Sequence, residues 1–183
     1  MCLTAAAAPL ACGAGNLTPL PLDGRTPAGK RFRVEASRPS DPRVKHSWCL
    51  ALGFQTDTVV VGHGPFGGGV SECGRDPAPR VSGVIQLDCA RRTLFVFGGA
   101  RSGVGPLELL PRRGPRVRAR RASLPPRSGF DGTTFVAVTG TRGLPARLRA
   151  GGRDVARVPA FGVVCRRPPG QSLEGVQPFA EFP

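Results

Sequence analysis

The densest group of chemically functional side chains is a run of arginines near the middle of the chain. The segment 111–127, PRRGPRVRARRASLPPR, contains seven arginines and no acidic residue. Such a stretch attracts phosphate-like anions, and its binding weakens as salt is added. The candidate anion-binding residues are Arg112, Arg113, Arg116, Arg118, Arg120 and Arg121.

Three interpretations of this run stay open. Arginine alternates with small apolar residues over 116–122, which favours a solvated strand face or a basic edge that discourages edge-to-edge association. Contact with an anionic envelope polymer is the second interpretation. Nucleic-acid binding is the third, and it is disfavoured because no aromatic residue is interleaved for base stacking.

The six cysteines also carry chemistry. No CxxC or CxxxxC pair exists, and neither His46 nor His63 has metal-ligand spacing to a cysteine, so no metal site is predicted. Free buried thiols or disulfides remain, and cysteines beside strands and turns in a Gly/Pro-rich chain favour disulfides. The four cysteines beyond the N-terminal region, Cys49, Cys73, Cys89 and Cys165, allow three connectivities, of which we prefer Cys49–Cys73 with Cys89–Cys165. Such bonds indicate an oxidising compartment.

One glycine motif suggests a dinucleotide site. Residues 62–67, GHGPFG, match GxGxxG after the apolar strand TVVV, and Asp88 follows at about the 20-residue spacing of a ribose-binding acid. A helix must open at the third glycine for its N-terminus to face pyrophosphate. The glycines and prolines of GGVSECGRDPAP oppose that helix. The motif is therefore interpreted as a hairpin tip, and no cofactor is predicted.

No recognised catalytic set is present. The sequence lacks GxSxG and HExxH, and its two histidines have no paired nucleophile. Scattered carboxylates occupy turn positions; they are Asp57, Asp76, Asp88 and Asp131. The chain is predicted not to be an enzyme. A hydrolase with a site gathered at the strand ends, from a histidine and two carboxylates, stays the alternative.

The charge balance is strongly basic. The chain has 183 residues and a net charge of +14, and its only lysines are Lys30 and Lys45. An excess of Gly, Pro, Ala and Arg is the codon signature of a GC-rich genome, which explains part of the charge. Selection for an acidic partner is the other explanation.

The first 22 residues carry no charge, and the first charged residue is Asp23. The apolar run LTAAAAPLAC is too short to span a bilayer and resembles the end of a secretion signal. Residues 10–13, LACG, resemble a lipoprotein box that would make Cys12 a lipid anchor, although the leucine lies two residues before the cysteine rather than three. A disordered alanine-rich arm is the alternative.

The central element is 84–98, VIQLDCARRTLFVFG. In Thr93–Phe97, Leu94 and Val96 point to one side while Phe95 and Phe97 point to the other. A strand that is apolar on both faces is typical of the middle of a sheet covered on both sides. Residues 88–92 are the connection to the preceding strand, and Gly98 ends the hairpin.

The remaining pattern predicts strands throughout. Arg116–Ala122 is expected to be one strand, Ala146–Val158 a hairpin about Gly151-Gly152, and Val163–Cys165 the last strand. Roughly nine to eleven short strands at this spacing indicate an all-β fold, an antiparallel β-sandwich or partly open barrel. The predicted organisation is a flexible arm over 1–30, a domain over 31–166 and a tail over 167–183.

The second half of the chain resembles β-rich extracytoplasmic domains of uncharacterised actinobacterial secreted proteins. The resembling features are LFVFGG, an arginine-rich strand, GTTFVAVTG, and LPARLRAGGRDVARVP before a closing cysteine. The resemblance implies export, disulfides and a sandwich. The expected function is a secreted or envelope-tethered binding module that contacts an anionic cell-surface polymer or another protein through its basic face.

Overall fold

The computed structural model describes residues 18–36, 48–56, 66–74, 77–124, 130–165 and 175–181. These ranges contain thirteen strands, one five-residue helix and a 3-10 turn at Thr141–Gly143. The strands are β1 (Thr18–Arg25), β2 (Arg31–Ala36), β3 (Trp48–Thr56), β4 (Phe66–Gly74), β5 (Val81–Asp88), β6 (Thr93–Arg101), β7 (Leu107–Pro111), β8 (Val117–Arg118), β9 (Arg120–Ser123), β10 (Gly132–Gly140), β11 (Ala146–Ala150), β12 (Arg153–Val158) and β13 (Gly175–Glu181), and the helix is α1 (Phe161–Cys165).

The strands form three antiparallel sheets. The first sheet has the order β1-β2-β3-β4, the central sheet β13-β5-β6-β10-β9, and the third sheet β12-β11-β7-β8. The predicted all-β antiparallel fold is confirmed, and the sheets are not closed into a barrel. The central sheet lies between the other two, so the sandwich has three layers.

Strand β6 shows why three layers form. Phe95 and Phe97 are buried in a core shared with the first sheet, whereas Leu94 and Val96 are buried in a core shared with the third sheet. All four side chains are at most 4% exposed. Because neighbouring strand residues point to opposite faces, an apolar residue at every position requires a covering layer on each side.

Each core draws on two sheets. The first core contains Leu20, Leu22, Phe32, Val34, Ala36 and Leu52 from the first sheet, with Val84, Phe95, Phe97 and Val136 from the central sheet. The second core contains Ile85, Leu87, Leu94, Val96, Phe135 and Ala137 from the central sheet, with Leu107, Leu109, Ala146, Leu148 and Ala150 from the third sheet. Burial of these apolar surfaces is the main stabilising contribution to the fold.

The sheets extend beyond the predicted 31–166 range. Strand β1 lies within the predicted N-terminal arm, and β13 lies within the predicted C-terminal tail. In β1, Leu20 and Leu22 are buried while Pro19 and Pro21 are exposed. Proline cannot donate a ladder hydrogen bond, so it is tolerated here because β1 is an edge strand of its sheet.

Three predicted strands differ in the structure. The central hairpin does not end at Gly98, because β6 continues to Arg101 in pairing with β10. Residues 116–122 form two strands, because β8 pairs with β7 while β9 pairs with β10 of the central sheet. Between them Ala119 is buried in the second core, and its backbone N–H donates to the Leu107 carbonyl at 2.8 Å. The predicted last strand, Val163–Cys165, instead ends helix α1.

The predicted Cys89–Cys165 disulfide is present, with Cα atoms 5.6 Å apart. It joins the turn after β5 to the end of α1, where the Arg92 guanidinium also lies 5.3 Å from the centre of the Phe161 ring. Strand register places Cys49 directly opposite Cys73 on β3 and β4. That backbone arrangement is compatible with the second bond, which stays a prediction.

Several predicted features lie outside the described residues. They are Cys12, His46, His63, Asp57 and Asp76. Within the described ranges, no helix is long and apolar enough to cross a membrane.

Candidate anion-binding site

The third sheet has one buried face and one solvated face. In β11, Ala146, Leu148 and Ala150 point into the second core, whereas Arg147 and Arg149 point outward. This alternation of apolar residues with arginine places one charge every second residue on the solvated side.

Strand register brings further arginines to the same side. Arg147 lies opposite Arg157 of β12, and Arg149 lies opposite Glu108 of β7. Glu108 in turn lies opposite Arg118 of β8. Together with Arg116, which precedes β8, these residues form the basic face, defined as Arg116, Arg118, Arg147, Arg149 and Arg157 with the acids Glu108 and Asp154.

The two acids neutralise only part of this charge. Asp154 contacts both Arg147 and Arg149 at 3.2 Å, and Glu108 contacts Arg116 at 3.4 Å. These pairs are solvent-exposed, so each contributes little to folding stability. Five guanidinium groups against two carboxylates leave the face electropositive and accessible.

A groove lies at one end of the basic face. Its volume is about 620 Å³, and it is lined by Leu110, Pro111, Arg112, Pro145, Ala146, Arg147, Arg157, Val158 and Pro159. Three guanidinium-bearing residues thus lie around Leu110 and three prolines, and no acidic or aromatic residue is part of the lining. Ala146 and Val158 border the groove, but their side chains are buried in the second core. We call this feature the arginine groove.

The backbone around the groove is tied together locally. The Arg112 N–H donates to the carbonyls of Gly143 and Pro145, at 3.0 and 2.8 Å. These bonds fasten the residue that follows β7 to the segment that precedes β11. Arg112 is therefore positioned by its main chain, while its side chain is exposed.

The six arginines predicted as one anion-binding face are divided between two sheets. Arg112, Arg113, Arg116 and Arg118 are exposed at or beside the third sheet. Arg116 and Arg118 belong to the basic face, and Arg112 lines the arginine groove. Arg120 belongs to β9 of the central sheet, and its guanidinium donates to the Asp23 carbonyl of the first sheet. The division follows from the change of sheet at Ala119.

Arg121 has a structural role. Its half-buried guanidinium donates to the Val104 carbonyl at 2.7 Å, the Gly105 carbonyl at 3.2 Å and the Thr133 hydroxyl at 2.7 Å. Burial lowers the pKa of Arg121 from its usual value, because desolvation disfavours the charged form. This side chain braces the loop between β6 and β7 against β10 instead of facing a ligand.

Sequence reasoning did not select Arg147, Arg149 and Arg157. The signal was present, since these arginines alternate with apolar residues in a correctly predicted hairpin. The sequence pattern does not show that β11 pairs with β7, and this pairing joins the hairpin to the arginine-rich segment. That pairing links residues far apart in the chain.

The structure gives the GxGxxG motif and two of the scattered carboxylates local structural surroundings. Gly67, the third glycine of GxGxxG, lies in strand β4, so no helix begins there. Asp88 accepts hydrogen bonds from the backbone and side chain of Arg91, both at 2.9 Å. Asp131 accepts one from Ser102 at 3.3 Å. Within the described residues, no group of three or more His, Cys, Asp or Glu side chains could hold a metal.

Comparisons with protein-family models, with curated proteins and with solved structures find no match to this chain. The candidate site is therefore defined by this chain's own geometry. Its two parts are the basic face of the third sheet and the arginine groove at its end.

Proposed function

We propose that this protein is a non-enzymatic binding module of the cell exterior or envelope, and that its basic face holds an anionic cell-surface polymer. The observation that carries the proposal is the excess of five arginines over two acids on one rigid, solvated sheet face.

The mechanism is electrostatic attraction to a fixed array. Strands hold the arginine backbones at regular spacings, with neighbouring strands about 4.8 Å apart, so a flexible polyanion meets several charges at once. Exposed charges are screened over about 8 Å at physiological ionic strength, so binding is expected to weaken as salt rises.

Retention on polyglutamate beads across a sodium chloride gradient tests this proposal. A variant with Arg118→Gln, Arg147→Gln and Arg157→Gln is expected to elute at much lower salt than the unsubstituted protein. The matched control, Arg25→Gln, Lys30→Gln and Arg31→Gln, removes the same charge from exposed positions at the edge of the first sheet. Elution of the two variants at the same salt concentration, or retention that does not change with salt concentration, would overturn the proposal.

The extracytoplasmic location is part of the same proposal. It is supported by the Cys89–Cys165 disulfide, since disulfides persist mainly in oxidising compartments. Non-reducing peptide mapping of protein from its native host is expected to recover Cys89–Cys165 and Cys49–Cys73 as linked peptides. Recovery of four free thiols would contradict export.

A further inference from the structure

We propose that the arginine groove is a specific site for a phosphate group carried on an aliphatic molecule, such as a polyol phosphate. This inference rests on the proposed function, because the groove is part of the same surface. It adds the chemical class of the ligand, which general attraction to a polyanion does not define.

The first argument is a pair of like charges of which only one member has an acidic partner. Arg147 and Arg157 are direct cross-strand partners, and like charges in that arrangement destabilise a sheet. Asp154 contacts Arg147, but Arg157 has no carboxylate partner among the described residues. Arg112 likewise forms no ion pair within the described part of the chain. An anion between these guanidinium groups would relieve the repulsion.

The second argument concerns the number of acceptor oxygens. One guanidinium engages both oxygens of a carboxylate through its paired N–H groups. The groove presents three arginines from separate strands or loops, so a carboxylate leaves donors unused. A phosphate offers three or four oxygens and up to two negative charges, and it therefore matches this donor set better.

The third argument is the lining between the arginines. Its aliphatic part consists of Leu110 and three prolines, which are Pro111, Pro145 and Pro159. The side chains of Ala146 and Val158 are buried in the second core, so they do not contribute to this surface. Nucleobases bind single-strand sites by stacking on aromatic rings, and this lining contains none. Aliphatic surface of this kind packs against a carbon chain, so the expected carrier is aliphatic instead of a nucleoside.

Titration calorimetry at constant ionic strength tests the inference with inorganic phosphate, glycerol 3-phosphate and acetate. Both phosphates are expected to bind, with glycerol 3-phosphate the tighter, and acetate to bind at least tenfold more weakly. Arg157→Gln is expected to weaken phosphate binding at least tenfold. Tighter binding of inorganic phosphate than of glycerol 3-phosphate would overturn the proposal that the phosphate is carried on an aliphatic molecule.

Arg153→Gln is the matched control, because Arg153 is exposed on the same strand and does not line the groove. Its phosphate affinity is expected to stay within twofold of the unsubstituted protein. Equal phosphate binding by the two variants overturns the proposal that the groove binds phosphate, even if polyglutamate retention still depends on the basic face. Loss of phosphate binding in Arg157→Gln alone supports the groove, even if polyglutamate beads retain nothing and the broader proposal fails.

Discussion

The central and third sheets differ in how many faces of their strands are buried. Strand β6 is buried on both faces, because each face packs against another sheet. Strand β11 is buried on one face only, and its other face carries arginines. The difference shows where function can reside in this molecule, since a strand covered on both sides has no side chain left for a ligand.

The largest expected single effect comes from a comparison of two apolar side chains. Phe97 of the central sheet is fully buried, whereas Leu110 of the third sheet lines the open groove. Phe97→Ala is expected to lower the free energy of unfolding by about 3–5 kcal/mol, because it leaves a cavity that the surrounding core fills only in part. Leu110→Ala is expected to cost less than half as much. Equal losses of unfolding free energy for the two variants in chemical denaturation would contradict the difference in burial between the two sheets.

The second contrast uses two glycines. Gly98 of β6 lies opposite Gly83 of β5, and a Cβ atom added at Gly98 would overlap the Ser82 carbonyl oxygen and the Gly83 backbone. Gly98→Ala is therefore expected to destabilise the protein by about 3 kcal/mol, the upper end for overpacking.

Gly140 is the control for that substitution. It ends β10, its φ is −76°, and an added Cβ would meet nothing within 4 Å. Gly140→Ala is expected to leave stability unchanged or to raise it by about 0.5 kcal/mol, because alanine restricts the unfolded chain. Thermal unfolding of both variants measures the difference. A tolerated Gly98→Ala would mean that β5 and β6 do not approach this closely.

The smallest expected contrast is between two arginines of the same run. Arg121→Gln is expected to cost about 1–2 kcal/mol, because it removes hydrogen bonds to Val104, Gly105 and Thr133. Arg118→Gln, at an exposed position, is expected to leave stability close to that of the unsubstituted protein while weakening polyanion retention. Urea denaturation and bead retention together separate the structural from the binding arginine. The reverse result would mean that their roles had been exchanged.

Local pattern predicted the elements whose signals lie close together in the chain. The β5-β6 hairpin, the two-sided burial of Phe95 and Phe97, and the hairpin about residues 151–152 all follow from side-chain alternation and glycine turns. The Cys89–Cys165 bond followed from cysteine counting and the choice of a long-range link. The pattern did not predict β1, because its two prolines are typical of a linker.

The arginine run shows where local pattern fails. Residues 116–122 alternate as one strand would, yet the chain changes sheets at Ala119, which is buried in the second core. Arg118 and Arg121 therefore lie in different environments. No property of either arginine alone distinguishes them.

From the sequence alone it follows that this protein is a β-protein, strongly basic, with cysteines suited to disulfides and a strand requiring cover on both sides. Those properties depend on residue type and on spacings of a few positions. Only the tertiary structure decided that there are three layers, and that Arg147 and Arg157 share a groove with Arg112 while Arg121 is a brace. Strand pairing sets such neighbours. Which strands pair depends on the free energy of the whole fold, and short-range sequence patterns do not contain that information.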